Sequence, residues 1–196
     1  MSTSEFTKYM IAKGVKQLLK TMEFNDISVG IIANHCHISR NTFYYHFKDK
    51  YDVINWIFYS EITPIIGMDY SVDNWAESLL ALCKYMQKNK EFYIKVLHIQ
   101  GQNSFSECLM EFYVNLVQNI LLNTEGDQIL DPGQVRVIAN FYAFGLTGVV
   151  SNWAKNGMKA EPEPTIRMLK DLFSGEIFDQ IVKRQRESKQ KDDSHV

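Results

Sequence analysis

Side chains that suit an anionic polymer cluster within HISRNTFYYHFKDK, residues 37–50. Arg40 carries a planar fork and Asn41 an amide, the two groups that pair with guanine and adenine edges in a DNA major groove. Where they do not read bases, they are left to phosphate or solvent. Tyr44, Lys48 and Lys50 offer donors to phosphate oxygens, contacts that set docking register rather than sequence preference. Tyr45 either joins them or covers the surface. Ser39 and Thr42 can contact phosphate or cap a helix, and Ser39 is read as the cap. Phe43 and Phe47, spaced four apart, belong behind this face and lock it to a core.

Such a surface needs helices to hold it. Ile11, Ala12, Val15, Leu18, Leu19 and Met22 recur with helical period, and EFND then breaks the pattern. Ser28 is the N-cap of a short helix through Ile31, Ile32 and Ala33, and Ser39 opens a second through Phe43 and Phe47. Asp49 caps a third start, KYDVINWIFYSEI, stopped by Pro64 and Gly67. Further helices are predicted over 73–89, 91–99, 104–122, about 134–156 and about 163–182, with NTEGDQILDPG as the one obvious loop. No strand pattern is present, so the expected fold is all-α with about nine helices. It divides into a three-helix helix-turn-helix head (1–49), a helical bundle (50–184) and a polar tail (185–196) read as disordered.

The net charge of −2 conceals a division. Residues 1–50 carry seven Lys/Arg against four Asp/Glu, or +3, while residues 51–196 carry fourteen against nineteen, or −5. A basic head on an acidic body implies that only the head meets a polyanion. Cys36, Cys83 and Cys108 have neither metal-ligand spacing nor an even count, and they read as reduced thiols of a cytoplasmic protein. His35, His37 and His46 match no metal spacing. No apolar run is long enough to span a membrane, and the N-terminus lacks a signal peptide's pattern. The chain has no Glu-x-x-His motif, phosphate loop or nucleophile–base pair, so neither a catalytic residue nor a cofactor is expected.

SVGIIANHCHISRNTFYYHFKDKYDVINWIF resembles the DNA-binding region of TetR-type transcriptional regulators. Ser28 takes the place of the pattern's first Thr, while Ile32, Ala33, Ser39, Thr42, Tyr44, Phe47 and Lys50 match it directly. Ile38 and Val53 are near matches. Cys36, His37 and Asn41 depart from it, His37 standing where the turn glycine is usual. His tolerates positive φ better than most residues, so the turn can survive. The resemblance implies a homodimer on a pseudo-palindromic DNA operator. Its DNA-facing set is Ser28, Ser39, Arg40, Asn41, Thr42, Tyr44, Tyr45, Lys48 and Lys50. Two later stretches, NKEFYIKVLHIQGQNSF and FYAFGLTGVVSNWAKNGMKAEPE, resemble the branch that contains activators of dihydroxyacetone-kinase operons.

In the body, Tyr85, Met86, His98, Gln102, Phe112, Tyr142 and Trp153 are candidate ligand-pocket residues, with ordinary core as the competing role. His98, Gln102 and Asn103 need partners if buried. Gly145 and Gly148 permit close helix approach. With Ile166, Leu169, Leu172, Phe173 and Phe178 they point to a dimer interface on the last two helices, a four-helix bundle across a two-fold axis by the resemblance. Two forms of control compete. A repressor released by a small molecule needs a closed apolar cavity in the body, whereas an activator governed by a partner protein needs a packed body with an exposed patch. An interaction protein that has lost DNA binding is a third reading, favoured by His37 and the modest head charge.

Overall fold

A computed structural model describes residues 2–66, 74–99, 103–123 and 131–174, without the side chains of 123, 173 and 174. Gly67, Gln102, Phe178, the last helix beyond 174 and the polar tail lie outside the described residues, as does the Phe173 side chain. Among the described residues there are nine α-helices, one short 3-10 turn and no strand.

Helix α1 (Thr3–Thr21) starts at Ser2, whose hydroxyl accepts from the Glu5 N–H while the Glu5 carboxylate accepts from the Ser2 N–H. This reciprocal cap satisfies two orphan donors and places an acid at the positive end of the helix. A 3-10 turn (Phe24–Asp26) leads to α2 (Val29–His35), capped by Ser28, and α3 (Arg40–His46), capped by Ser39. Helix α4 (Lys50–Ile66) follows, begun by Asp49, whose carboxylate accepts from the Asp52 N–H at 2.9 Å. Helix α4 ends at Ile66, within the stop expected from Pro64 and Gly67, and Pro64 sits in its last turn. Its missing N–H costs one bond, and burial of Ile62 and Ile66 on that turn offsets the loss.

The body continues with α5 (Trp75–Lys88), α6 (Lys90–Leu97), α7 (Phe105–Asn123), α8 (Pro132–Lys155) and α9 (Pro162–Ser174). Asp131 caps α8 with Pro132 in its first turn, which moves its start two residues earlier than the apolar pattern suggested. Helices α7 and α8 pack along most of their lengths, α5 lies against α4 and α9, and α1 touches both α4 and α6. One continuous core runs from Ile11 and Phe43 in the head through Phe58 to Tyr113 and Leu146 in the body. All three thiols are buried in it, and burial pushes Cys83 and Cys108 up to about 12, so neither is a reactive thiolate near neutral pH.

The turn between α2 and α3 decides whether the head holds its shape. His37 has φ 54°, and its N–H donates to the Asn34 carbonyl at 3.1 Å. The Ile38 N–H donates to Ala33 at 2.9 Å. These two bonds form a Schellman motif that closes α2, with His37 at the position glycine usually fills. A histidine there carries left-handed strain, which His37→Gly relieves; glycine's extra freedom when unfolded cancels part of the gain. The variant is expected to be about 0.5–1 kcal/mol more stable in urea titration, with an unchanged helical spectrum. A loss of stability would show that the His37 ring makes a contact worth more than the strain.

Candidate nucleic-acid interface

Helix α3 is fastened from behind and open in front. Phe43 and Phe47 are buried, their rings 6.0 Å apart, and Phe47 also meets Trp56 of α4 edge-on at 5.9 Å. The Ser39 hydroxyl accepts from the Thr42 N–H at 3.0 Å and lies 2.9 Å from the Thr42 hydroxyl, so both side chains are engaged in starting the helix. Arg40 and Asn41 occupy the exposed first turn. Tyr44 is 51% exposed, its ring edge-on to Phe43 at 5.6 Å, and Tyr45 is 81% exposed. A guanidinium fork, an amide and two phenols thus share one end and one side of a short helix. Lys48 is exposed just past its end, with its backbone N–H donated to Asp52 at 3.0 Å. Ser28, exposed at the start of α2, accepts from the Ile31 N–H at 3.2 Å.

Lys50 takes a different place from the one its motif position implied. Its ammonium donates to the carbonyls of Phe24 (2.7 Å), Ile27 (2.8 Å) and Asn25 (3.3 Å), and lies 4.4 Å from the Phe24 ring centre. A lysine has three protons to donate, and three carbonyls receive them. Burial holds its pKa below the ordinary lysine value, with Asp26 opposing. Lys50 therefore clamps the turn between α1 and α2, its donors turned toward backbone carbonyls.

The ligand-pocket candidates do not converge. Met86 and Phe112 are core residues, and His98 is exposed with its ring against the Ile94 carbonyl of its own helix. Asn103 is exposed and bonds locally to Glu107. Tyr142 is half-buried on α8, its pKa raised by that burial. Trp153 donates to the Ala160 carbonyl at 2.8 Å and, alone of the described members of this set, lines an open crevice of about 610 Å³ between α5, α8 and α9. Leu79, Val150 and Ile166 form apolar parts of its wall, and Asn152, Asn156 and Lys159 bring polar groups. Tyr85 belongs elsewhere, edge-on to the buried Tyr93 at 6.2 Å. Burial, aided by the nearby Glu61 carboxylate, raises both phenols and keeps them un-ionised. Glu61 also pairs with Lys16 of α1, so this cluster ties head to body. Sequence reasoning missed it because its members lie far apart in the chain.

The dimer-face candidates separate. Gly145 and Gly148 are exposed, and a Cβ on either would meet no atom within 4 Å. Leu172 is exposed too, but Ile166 is buried and Leu169 half-buried against the chain's own core, which removes both from the open face. Instead Val137, Phe141 and Phe144 on α8 and Met168 on α9 are the large exposed side chains beside the glycines. Spacings of four, three and four through 137, 141, 144 and 148 make one stripe along α8, a signal already present in the sequence.

Residues 73–175 match the family of transcriptional-regulator C-terminal regions. The chain is 29% identical over 125 residues to the dhaKLM operon transcriptional activator DhaS of Lactococcus lactis, a match spanning 64% of this chain and 66%, just under two thirds, of that relative. Its fold is similar to the solved structure of a dihydroxyacetone kinase operon activator DhaS (TM-score 0.63, 24% identity, 87% of this chain and 96% of that one). It is also similar to FadR of Bacillus subtilis in complex with stearoyl-CoA (TM-score 0.59, 18% identity, 86% and 98%). Among the described residues no helix is long and apolar enough to cross a membrane.

Proposed function

The chain belongs to the TetR family of transcriptional regulators, and from that premise we propose that it is a homodimeric, sequence-specific DNA-binding regulator. The observation that carries this reading is the outer face of α3, where Arg40, Asn41, Tyr44 and Tyr45 stand exposed on a helix held rigidly from behind. Arg40 and Asn41 read base edges, and Tyr44, Tyr45 and Lys48 contact phosphates. Ser28, Ser39 and Thr42 stand at helix starts, where neighbouring N–H groups also suit phosphate. Paired through the α8–α9 stripe, two heads enter successive major grooves about 34–36 Å apart. Such a protein works in the cytoplasm beside the chromosome.

Control is placed in the body, residues 50–184. The crevice between α5, α8 and α9 has the volume and largely apolar wall of a small-molecule site, and it is open where a closed cavity was expected. An effector there must favour one spacing of the heads over another, since equal affinity for both shifts nothing. A second reading, activation under a partner protein's control, is favoured by similarity to an operon activator. Transcription in vitro from an operator-bearing template separates the two, since transcript rises with an activator and falls with a repressor.

Fluorescence anisotropy on operator DNA, titrated at several salt concentrations, tests the interface. Arg40→Ala is expected to lose about 1–3 kcal/mol and to relax preference at one base pair. Tyr44→Phe should lose about 1 kcal/mol uniformly across sequences. Wild-type affinity in both variants would remove α3 from the interface.

A further inference from the structure

The groove between α1 and α6 has no part in the interface described above, yet six lysines line it. Lys13, Lys16 and Lys20 of α1 face Lys88, Lys90 and Lys95 at the end of α5 and along α6, with Glu91 as the one acid in the lining. The space is open and about 800 Å³, large enough for a small molecule, and Leu19, Phe92 and Ile94 supply apolar surface within it. Two of the six lysines are committed to holding the joint. Lys95 donates to the Leu19 carbonyl at 2.8 Å and the Met22 carbonyl at 3.4 Å, while Lys16 pairs with Glu61 and lies 5.1 Å from the Phe92 ring centre.

Lys13, Lys20, Lys88 and Lys90 are exposed and make no ion pair among the described residues. Gathering unpaired cations from three helices raises the energy of the fold by mutual repulsion. An anion in the groove removes the repulsion. Lysine favours compact, multiply charged groups that accept several point-charge donors, and phosphate is such a group.

We propose that this groove binds a small phosphate-bearing molecule with at least two negative charges, its phosphate held between Lys13 and Lys20 of α1 and Lys88 and Lys90 on the facing wall. One wall belongs to the head and the other to the body, so the bound anion draws α1 toward α6 and biases the position of the head. This last step rests on the DNA-binding reading; the anion site itself does not.

Isothermal titration calorimetry on the full chain at constant ionic strength, with inorganic pyrophosphate, inorganic phosphate and ribose 5-phosphate as probes, tests the site. Saturable binding of pyrophosphate is expected, weakened about tenfold or more in Lys13→Gln/Lys90→Gln and unchanged in Lys155→Gln, an exposed lysine at the end of α8. Ribose 5-phosphate binding more tightly than phosphate identifies a phosphate ester as the ligand; equal binding identifies the free ion. The absence of saturable heat, or an equal loss in Lys155→Gln, overturns the proposal. In a second arm, pyrophosphate should change operator affinity several-fold in the wild type and not in the double variant. An unchanged wild type overturns the coupling to the head. A double variant that already binds operator weakly, with a shallower salt dependence and no pyrophosphate present, assigns the lysines to DNA and overturns the site. Pyrophosphate binding through Lys13 and Lys90 in a chain that binds no operator supports the site and sinks the DNA reading.

Discussion

Replacing Phe144 with Glu is expected to yield a folded monomer that binds operator DNA at least about a thousandfold more weakly than the wild type. Phe144 is 69% exposed and Phe141, three residues earlier, 74% exposed, and both rings stand clear of their own core. A chain that exposes Val137, Phe141, Phe144, Met168 and Leu172 together on α8 and α9 carries an apolar patch of a kind soluble monomers seldom keep. Burying one phenylalanine contributes about 2–3 kcal/mol, and a two-fold interface counts each residue twice, so one substitution removes about 4–6 kcal/mol. Two glutamates facing each other near the axis add a desolvation cost to that loss. Operator binding falls with the dimer because a single head holds half the contacts and loses the fixed spacing of its partner. Sedimentation velocity at micromolar protein checks the assembly and circular dichroism the fold. A variant that sediments as a dimer would move the interface away from this stripe.

Helix positions were legible in the sequence where capping chemistry coincided with apolar period. Ser28, Ser39 and Asp49 each accept from a backbone N–H three residues on, as their types and positions suggested. The α2–α3 turn was legible for a related reason, since His37 has the positive φ that its place in the motif requires. What sequence could not supply was the direction of side chains whose partners are distant. Ile166 and Leu169 share α9 with Leu172, yet the first two turn inward and the third outward, because α9 leans on α5 along one face only. Positions 137, 141 and 144 carry a stronger apolar pattern than Gly145 and Gly148, and their large side chains are exposed. Residue type alone does not distinguish a core methionine such as Met86 from one that lines a pocket.

Lys50 shows the same limit inside the motif, and it makes the sharpest stability prediction. Lys50→Met is expected to destabilise the chain by about 3 kcal/mol, while Lys50→Arg fails to restore the full loss. Methionine keeps an unbranched apolar stem but removes the charge that lies over the Phe24 ring and satisfies the carbonyls of Phe24, Asn25 and Ile27. Charged hydrogen bonds contribute more than neutral ones, and the Phe24 and Ile27 bonds are partly buried, so water replaces them poorly. Arginine's wider planar fork does not match three carbonyls converging on one point. The lost clamp loosens the segment that delivers α2 to α3, so operator binding falls as a consequence of a softened head. Urea unfolding without DNA separates this from a phosphate contact: a clamp lowers the midpoint whether or not operator is present. If Lys50→Met unfolds at the wild-type midpoint while its operator affinity drops and the salt slope falls by about one, the lysine is a phosphate contact after all, and its bonds to the three carbonyls are incidental.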